Sequence, residues 1–188
     1  MTRLKSEDKR NAIMEAATRL IVTHGLSAPT AMIAQEAGVA NGTLFTYFET
    51  KADLFNQLYL ELKAGMASAA LEGLPTEAEL HERVFHIWSN WMDWAVDNPE
   101  KRRALAQLGV SGEITPAIHA AAHETTRGLA ELMEQMRVTG PLHNTPIDFA
   151  AAIMNSLAEA TMDFMIHDPT NAKEHCKAGF DALWRVIA

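Results

Sequence analysis

The stretch TAMIAQEAGVANGTLFTYFETK, residues 30–51, reads as two short helices joined by a tight turn, with the start of a third following at once. Ile33, Ala34 and Ala37 set apolar side chains at three- and four-residue spacing on the first helix. Gly38 falls where the chain must reverse, a position that calls for positive φ. Leu44, Phe45 and Phe48 repeat the apolar period on the second helix, while Thr43, Thr46 and Tyr47 fall on its other faces. This pattern predicts a helix-turn-helix, whose second helix enters the major groove of duplex DNA.

The same period continues on both sides. Ala12, Ile13, Ala16, Ala17, Leu20 and Ile21 give residues 7–24 one buried face, closed by Gly25. Thr50 caps a helix over 51–71, which Gly73 and Pro75 stop. Thr76 with Glu79 has the spacing of a capping box and opens a helix to residue 96. A short helix over 100–110 follows, then a long one over 116–138, ended by Gly140 and Pro141. Thr145 with Pro146 opens a helix to residue 166, and Asp168 caps a last one reaching residue 186. No strand alternation or internal repeat interrupts this. The expectation is an all-α chain of about nine helices: a three-helix DNA-binding domain at 1–50 and an effector-binding and dimerisation bundle at 51–188.

The formal net charge of −8 is unevenly divided. Residues 1–51 carry six basic and five acidic side chains, a net of +1, and residues 52–188 carry ten and nineteen, a net of −9. Phosphate binding responds to local charge, so the N-terminal module suits DNA and the acidic remainder does not. Arg3 and Lys5 have two readings, a minor-groove arm or a solvated tail. The single cysteine, Cys176, leaves no intrachain disulfide to form. The charged N-terminus lacks the apolar core of a signal peptide, and no apolar run reaches the ~18 residues of a membrane span. These features predict a cytoplasmic protein with no membrane partner.

The run I-A-x-x-A-G-V, then G-T-L-F-x-Y-F, then K-x-x-L, carried by Ile33 to Val39, Gly42 to Phe48 and Lys51 with Leu54, resembles the DNA-binding domain of the TetR/AcrR family of bacterial repressors. Within that family KSEDKR (5–10) and AEATMDF (158–164) are similar to RamR-type repressors, which bind amphipathic multidrug-like ligands. The resemblance implies a DNA-contacting set of Thr30, Ala40, Asn41, Gly42, Thr43, Phe45, Thr46, Tyr47 and Lys51. Tyr47 and Lys51 would meet phosphates, and Thr43 and Thr46 would face the groove. Read by themselves, the two threonines can offer hydroxyls to bases or a methyl to thymine. Phe45 has two readings, core or groove. Many relatives carry a longer polar side chain where Thr46 stands, so its reach here is shorter.

A single recognition helix reads too few bases for genomic specificity, so a homodimer on a palindromic operator is expected. The last two helices are the candidate interface, with Ala151 and Ala158 permitting close approach and Phe180 and Trp184 as anchors. For the effector site, Trp88 and Trp91 form an aromatic pair on one helix, and Met133, Met154 and Phe164 can add adaptable or aromatic walls. Tyr59 and Trp88 resemble pocket positions of RamR-type proteins. Most methionines and tryptophans of a bundle are simply core, and the cluster is better supported than its members. Glu159 or Asp163 would neutralise a cationic ligand.

Enzyme constellations are missing from the sequence: Gly109 to Glu113 lacks the spacing of a nucleophile elbow, and no P-loop or HExxH is present. His119 and His123, with His175 and Cys176, carry a metal- or redox-responsive alternative. The expectation is a non-enzymatic regulator with no cofactor and no metal.

Overall fold

The computed structural model describes residues 2–138 and 140–188, with side chains from Ser6 onward; the arm residues Arg3 and Lys5 lie outside the described side chains. In chain order the α-helices are α1 (Thr2–His24), α2 (Thr30–Glu36), α3 (Asn41–Tyr47), α4 (Lys51–Leu71), α5 (Leu80–Asp97), α6 (Pro99–Gly109), α7 (Pro116–Thr125), α8 (Arg127–Arg137), α9 (Ile147–His167) and α10 (Ala172–Ile187), with a 3-10 turn at Pro169–Asn171. The described residues are all-α.

Two compact units emerge. The first comprises residues to Ala64 with Pro99–Glu124; the second comprises Gly65–Asn98 with Thr125–Ala188. Helix α4 begins in the first and ends in the second.

The first unit is built on α1, which packs against α2, α3 and α6. Ile13, Ala17 and Ile21 of α1, Ile33 of α2, Leu44 of α3, Phe55 of α4 and Leu108 of α6 are fully buried together. The turn after α2 shows why Gly38 is there: its φ is +68°. Its N–H bonds Gln35 O at 3.1 Å and the Val39 N–H bonds Ala34 O at 2.9 Å, the paired closure of a Schellman end. Thr50 caps α4 as expected, accepting from the Asp53 N–H at 3.0 Å, while the Asp53 carboxylate accepts from the Glu49 N–H at 3.0 Å.

In the second unit, α9 packs along α10 and against α5. Val84, Trp88 and Met92 of α5, Met136 of α8, Met162 of α9 and Phe180 and Leu183 of α10 form its core. The α9–α10 approach is close because Gly179 has no side chain; a Cβ there would overlap the hydroxyl of Thr161. Gly179→Ala should therefore destabilise the protein by about 1–3 kcal/mol through overpacking, with most of it recovered when Thr161→Ala is added. Urea midpoints of the two single variants and the double variant check this. An unchanged midpoint for Gly179→Ala would show that the helices do not meet there.

Four local expectations are corrected. The 116–138 helix is two helices, broken at Thr126 with φ −103° and ψ 12°; two adjacent β-branched threonines hold a helix weakly. Its second half stops at Arg137, whose guanidinium pairs with Glu134 and bonds the carbonyls of Leu142, His143 and Thr145, shaping the turn into α9. The Thr76 capping box is not made: Pro75 O accepts from the Ala78 N–H in a turn, and α5 starts one residue after Glu79. Asp168 caps the 3-10 turn rather than α10, and its carboxylate accepts from Asn171 at 2.8 Å and pairs with His175 at 3.0 Å. Those bonds, that of Asn171 foremost, hold the Asp168 carboxyl below its ordinary value. The described residues thus hold ten α-helices in place of nine.

Candidate nucleic-acid interface

Helix α3 buries Leu44 and, at its C-cap, Phe48, both fully. That anchoring fixes which side chains remain outside. Ala40, Asn41, Gly42, Phe45 and Thr46 are exposed, and Thr30, Thr43, Tyr47 and Lys51 are half-buried at the edge of the same region. Phe45, with two readings from sequence, is 44 % exposed whereas Phe48 is 0 %. The Thr46 hydroxyl donates to Gly42 O at 3.2 Å. Its proton is held inside the helix, so Thr46 offers an acceptor lone pair and a methyl, suited to an adenine or cytosine amino group or to a thymine methyl.

The basic residues differ in what they can give to phosphates. Arg10 bonds Gln57 at 3.0 Å, pairs with Glu61 and lies 5.6 Å from the centroid of the Phe48 ring. Arg19 pairs with Glu36 at 3.0 Å. Lys51 instead lies over the Phe55 ring, 5.3 Å from its centroid, with no carboxylate partner among the described residues. Lys51→Ala should lower affinity on every DNA sequence and reduce the salt slope by about one unit. Arg19→Ala should leave that slope unchanged. Equal effects from the two variants, read by anisotropy across a salt series, would contradict this assignment.

Sequence reasoning missed a polar ladder along α4. Asp53 accepts from Gln57 at 2.8 Å, Gln57 accepts from Arg10, and Arg10 reaches Glu61. Asn56, 7 % exposed, donates to the carbonyls of Ala52 and Glu113 and accepts from the Thr115 N–H at 3.1 Å, tying α4 to the segment before α7. An asparagine inside the apolar run Leu54, Phe55, Leu58 was the available signal.

The residues proposed from sequence for an effector are distributed as follows. Tyr59 is 5 % exposed in the core of the first unit. In the second unit Trp88 is 2 % exposed and gives its indole N–H to Cys176 O at 3.0 Å. Trp91 meets Trp88 edge-to-face at 6.0 Å. Met133 is buried in that cluster and Met154 packs against it. Phe164 is 63 % exposed, with its ring 5.6 Å from His175. A separate open cleft of about 330 Å³ in this unit is lined by Ala69, Glu72, Asn90, Asp93, Trp94, Asp97 and Asn98. There burial, with the charge of Asp97 behind it, raises the Asp93 carboxyl. Of the interface candidates, Ala158 and Phe180 are buried within the unit and Ala151 and Trp184 are half-buried. Cys176 is buried, which pushes its thiol up and keeps it protonated. Among the described residues no three His, Cys, Asp or Glu side chains group as metal ligands, and no helix is long and apolar enough to cross a membrane.

A short helix with a buried anchoring edge and an exposed, hydroxyl-bearing outer face, set after a Schellman turn, defines a helix-turn-helix DNA-binding regulator. Residues 13–58 match the family described as "Bacterial regulatory proteins, tetR family". A TetR-family transcription regulator from Shewanella sp. PV-4 superposes with a TM-score of 0.83 and 29 % identity, over 94 % of this chain and 96 % of that one. The HTH-type transcriptional regulator YhgD of Bacillus subtilis (strain 168) is 34 % identical over 80 residues, a match that spans 42 % of each chain. The nucleoid occlusion factor SlmA of Haemophilus influenzae (strain PittGG) is 22 % identical over 84 % of this chain and 73 % of its own.

Proposed function

We propose that this chain is a TetR-family repressor that binds a palindromic operator as a homodimer in the cytoplasm and is released by a small amphipathic ligand. Residues 1–50 act as the DNA-reading domain and residues 51–188 as the effector and dimerisation domain. The observation that carries this reading is the outer face of α3: Gly42, Phe45 and Thr46 are exposed while Leu44 and Phe48 hold the helix from behind. Dimerisation through α9 and α10 is supported by the large apolar side chains left exposed there, Ile147, Phe149, Phe164 and Val186. Helix α4 starts beside the reading head, and its residues are divided between the two units. A ligand that favours a displaced α4 spoils the fit of two recognition helices to grooves ~34 Å apart.

Operator and ligand then bind antagonistically, with a coupling of about 1–3 kcal/mol that is the same in both directions. It requires different ligand affinities for the two conformers, since equal affinities shift nothing. Titrating amphipathic compounds against operator-bound protein by anisotropy tests this, with tryptophan fluorescence reporting occupancy. Release that tracks occupancy supports the reading. Occupancy without any change in operator affinity contradicts it.

A further inference from the structure

Lys63, like Lys51 over Phe55, lies over an aromatic ring on α4. Arg10, Arg19, Arg137 and Lys177 each meet a carboxylate. Lys63 is half-buried, yet no carboxylate acts on its ammonium among the described residues; its partner is the Tyr59 ring one turn earlier on α4, 5.9 Å from Nζ to centroid. Burial without a counter-charge lowers the ammonium's pKa, the sign of a cation held out of water at a cost. A ring face returns only part of that cost.

The phenol is equally uncommitted. Tyr59 is 5 % exposed, and its hydroxyl stands 3.5 Å from His119 Nδ1, too long for a strong hydrogen bond. The His119 ring meets the Tyr59 ring edge-on at 5.4 Å. An ammonium, a phenol and an imidazole are thus gathered about one aromatic ring, all within the first unit. Leu105 and Ile118, half-buried, pack against the same core cluster that holds Tyr59.

We propose that Lys63, Tyr59 and His119 form a subsite for the carboxylate of an acidic amphipath. Lys63 supplies the opposing charge, the Tyr59 O–H and the His119 ring supply hydrogen bonds, and Leu105 and Ile118 meet the start of the ligand's apolar chain. This deepens the reading of an effector-responsive regulator, rests on it for biological meaning, and assigns the effector a negative headgroup.

The test uses the full chain without DNA and three probes: decanoate, decyltrimethylammonium and inorganic phosphate, each by titration calorimetry. Decanoate should bind the parent. Lys63→Met should weaken it at least tenfold, Lys63→Arg should restore most of that loss, and Tyr59→Phe should cost about threefold. Circular-dichroism melts establish that each variant folds. Decyltrimethylammonium affinity should not fall in Lys63→Met, and phosphate should not displace decanoate. No decanoate binding, an unchanged affinity in folded Lys63→Met, or displacement by phosphate would each overturn the assignment. Because binding is read without operator, its failure is distinct from failure of the regulatory reading: decanoate that binds through Lys63 but releases no operator leaves the subsite standing and removes the switch.

Discussion

Phe48→Ala is expected to cost about 3–5 kcal/mol of stability, the range for truncating a buried aromatic side chain, whereas Phe45→Ala should change stability by no more than about 0.5 kcal/mol. Phe45 lies in α3 and Phe48 at its C-cap, three residues apart, and burial separates them: Phe48 is 0 % exposed and Phe45 is 44 %. Phe48 closes the C-terminal end of α3 against the core that also holds Ile33, Leu44 and Phe55, and Arg10 lies over its ring. Its removal opens a cavity in that core and takes a contact from the Arg10 guanidinium. A protein with a total stability of about 5–15 kcal/mol would lose a large part of it. Phe45→Ala should leave the melt intact and weaken DNA binding, because an exposed ring on the reading face can contact a thymine methyl. Denaturation and operator titration of both variants give the check. A comparable loss of stability in Phe45→Ala would mean that α3 presents a different face.

The second large effect concerns Trp88. Trp88→Ala should destabilise the protein by about 3–5 kcal/mol, because the indole is 2 % exposed, packs near Trp91 and Phe180 and donates to the Cys176 carbonyl. Trp88→Phe keeps most of the volume and should lose about 1 kcal/mol for the missing hydrogen bond. If Trp88 also contacts the effector, Trp88→Phe will show it as weakened ligand response in a protein that still melts cooperatively. Loss of response in Trp88→Ala alone would reflect unfolding of the second unit. Urea midpoints of both variants decide between these: equal midpoints for Trp88→Ala and the parent would contradict the buried placement.

The reading head was legible because its determinants are local. Apolar spacing in 30–51, a glycine at the turn and a threonine before α4 each act within a few residues, and the structure shows the Gly38 turn and the Thr50 cap. The break at Thr126 was not legible, since the apolar period runs on through both halves and two threonines interrupt it only weakly. The Thr76–Glu79 spacing matched a capping box, but Pro75 had already turned the chain. Lys63 and Asn56 resemble ordinary helix residues in sequence. Their meaning comes from His119 beside Tyr59 and from Glu113 and Thr115, more than fifty positions away. Phe180 shows a different limit. An apolar stripe says that a face is buried without saying against which helix, and in this chain Phe180 packs against His81, Phe85 and Trp184 of its own unit.

The claim on which everything else depends is that residues 41–47 read DNA in a two-fold assembly. Selection of binding sites from a random duplex library, with the parent protein and Thr43→Ala and Tyr47→Ala variants side by side, tests it most directly. The parent should enrich an inverted repeat whose half-sites lie about one helical turn, ~10 base pairs, apart. Thr43→Ala should relax one position in each half-site, and Tyr47→Ala should weaken every selected sequence alike. Failure of the folded parent to enrich any sequence, or enrichment of an unpaired asymmetric site that both variants retain unchanged, would contradict the account.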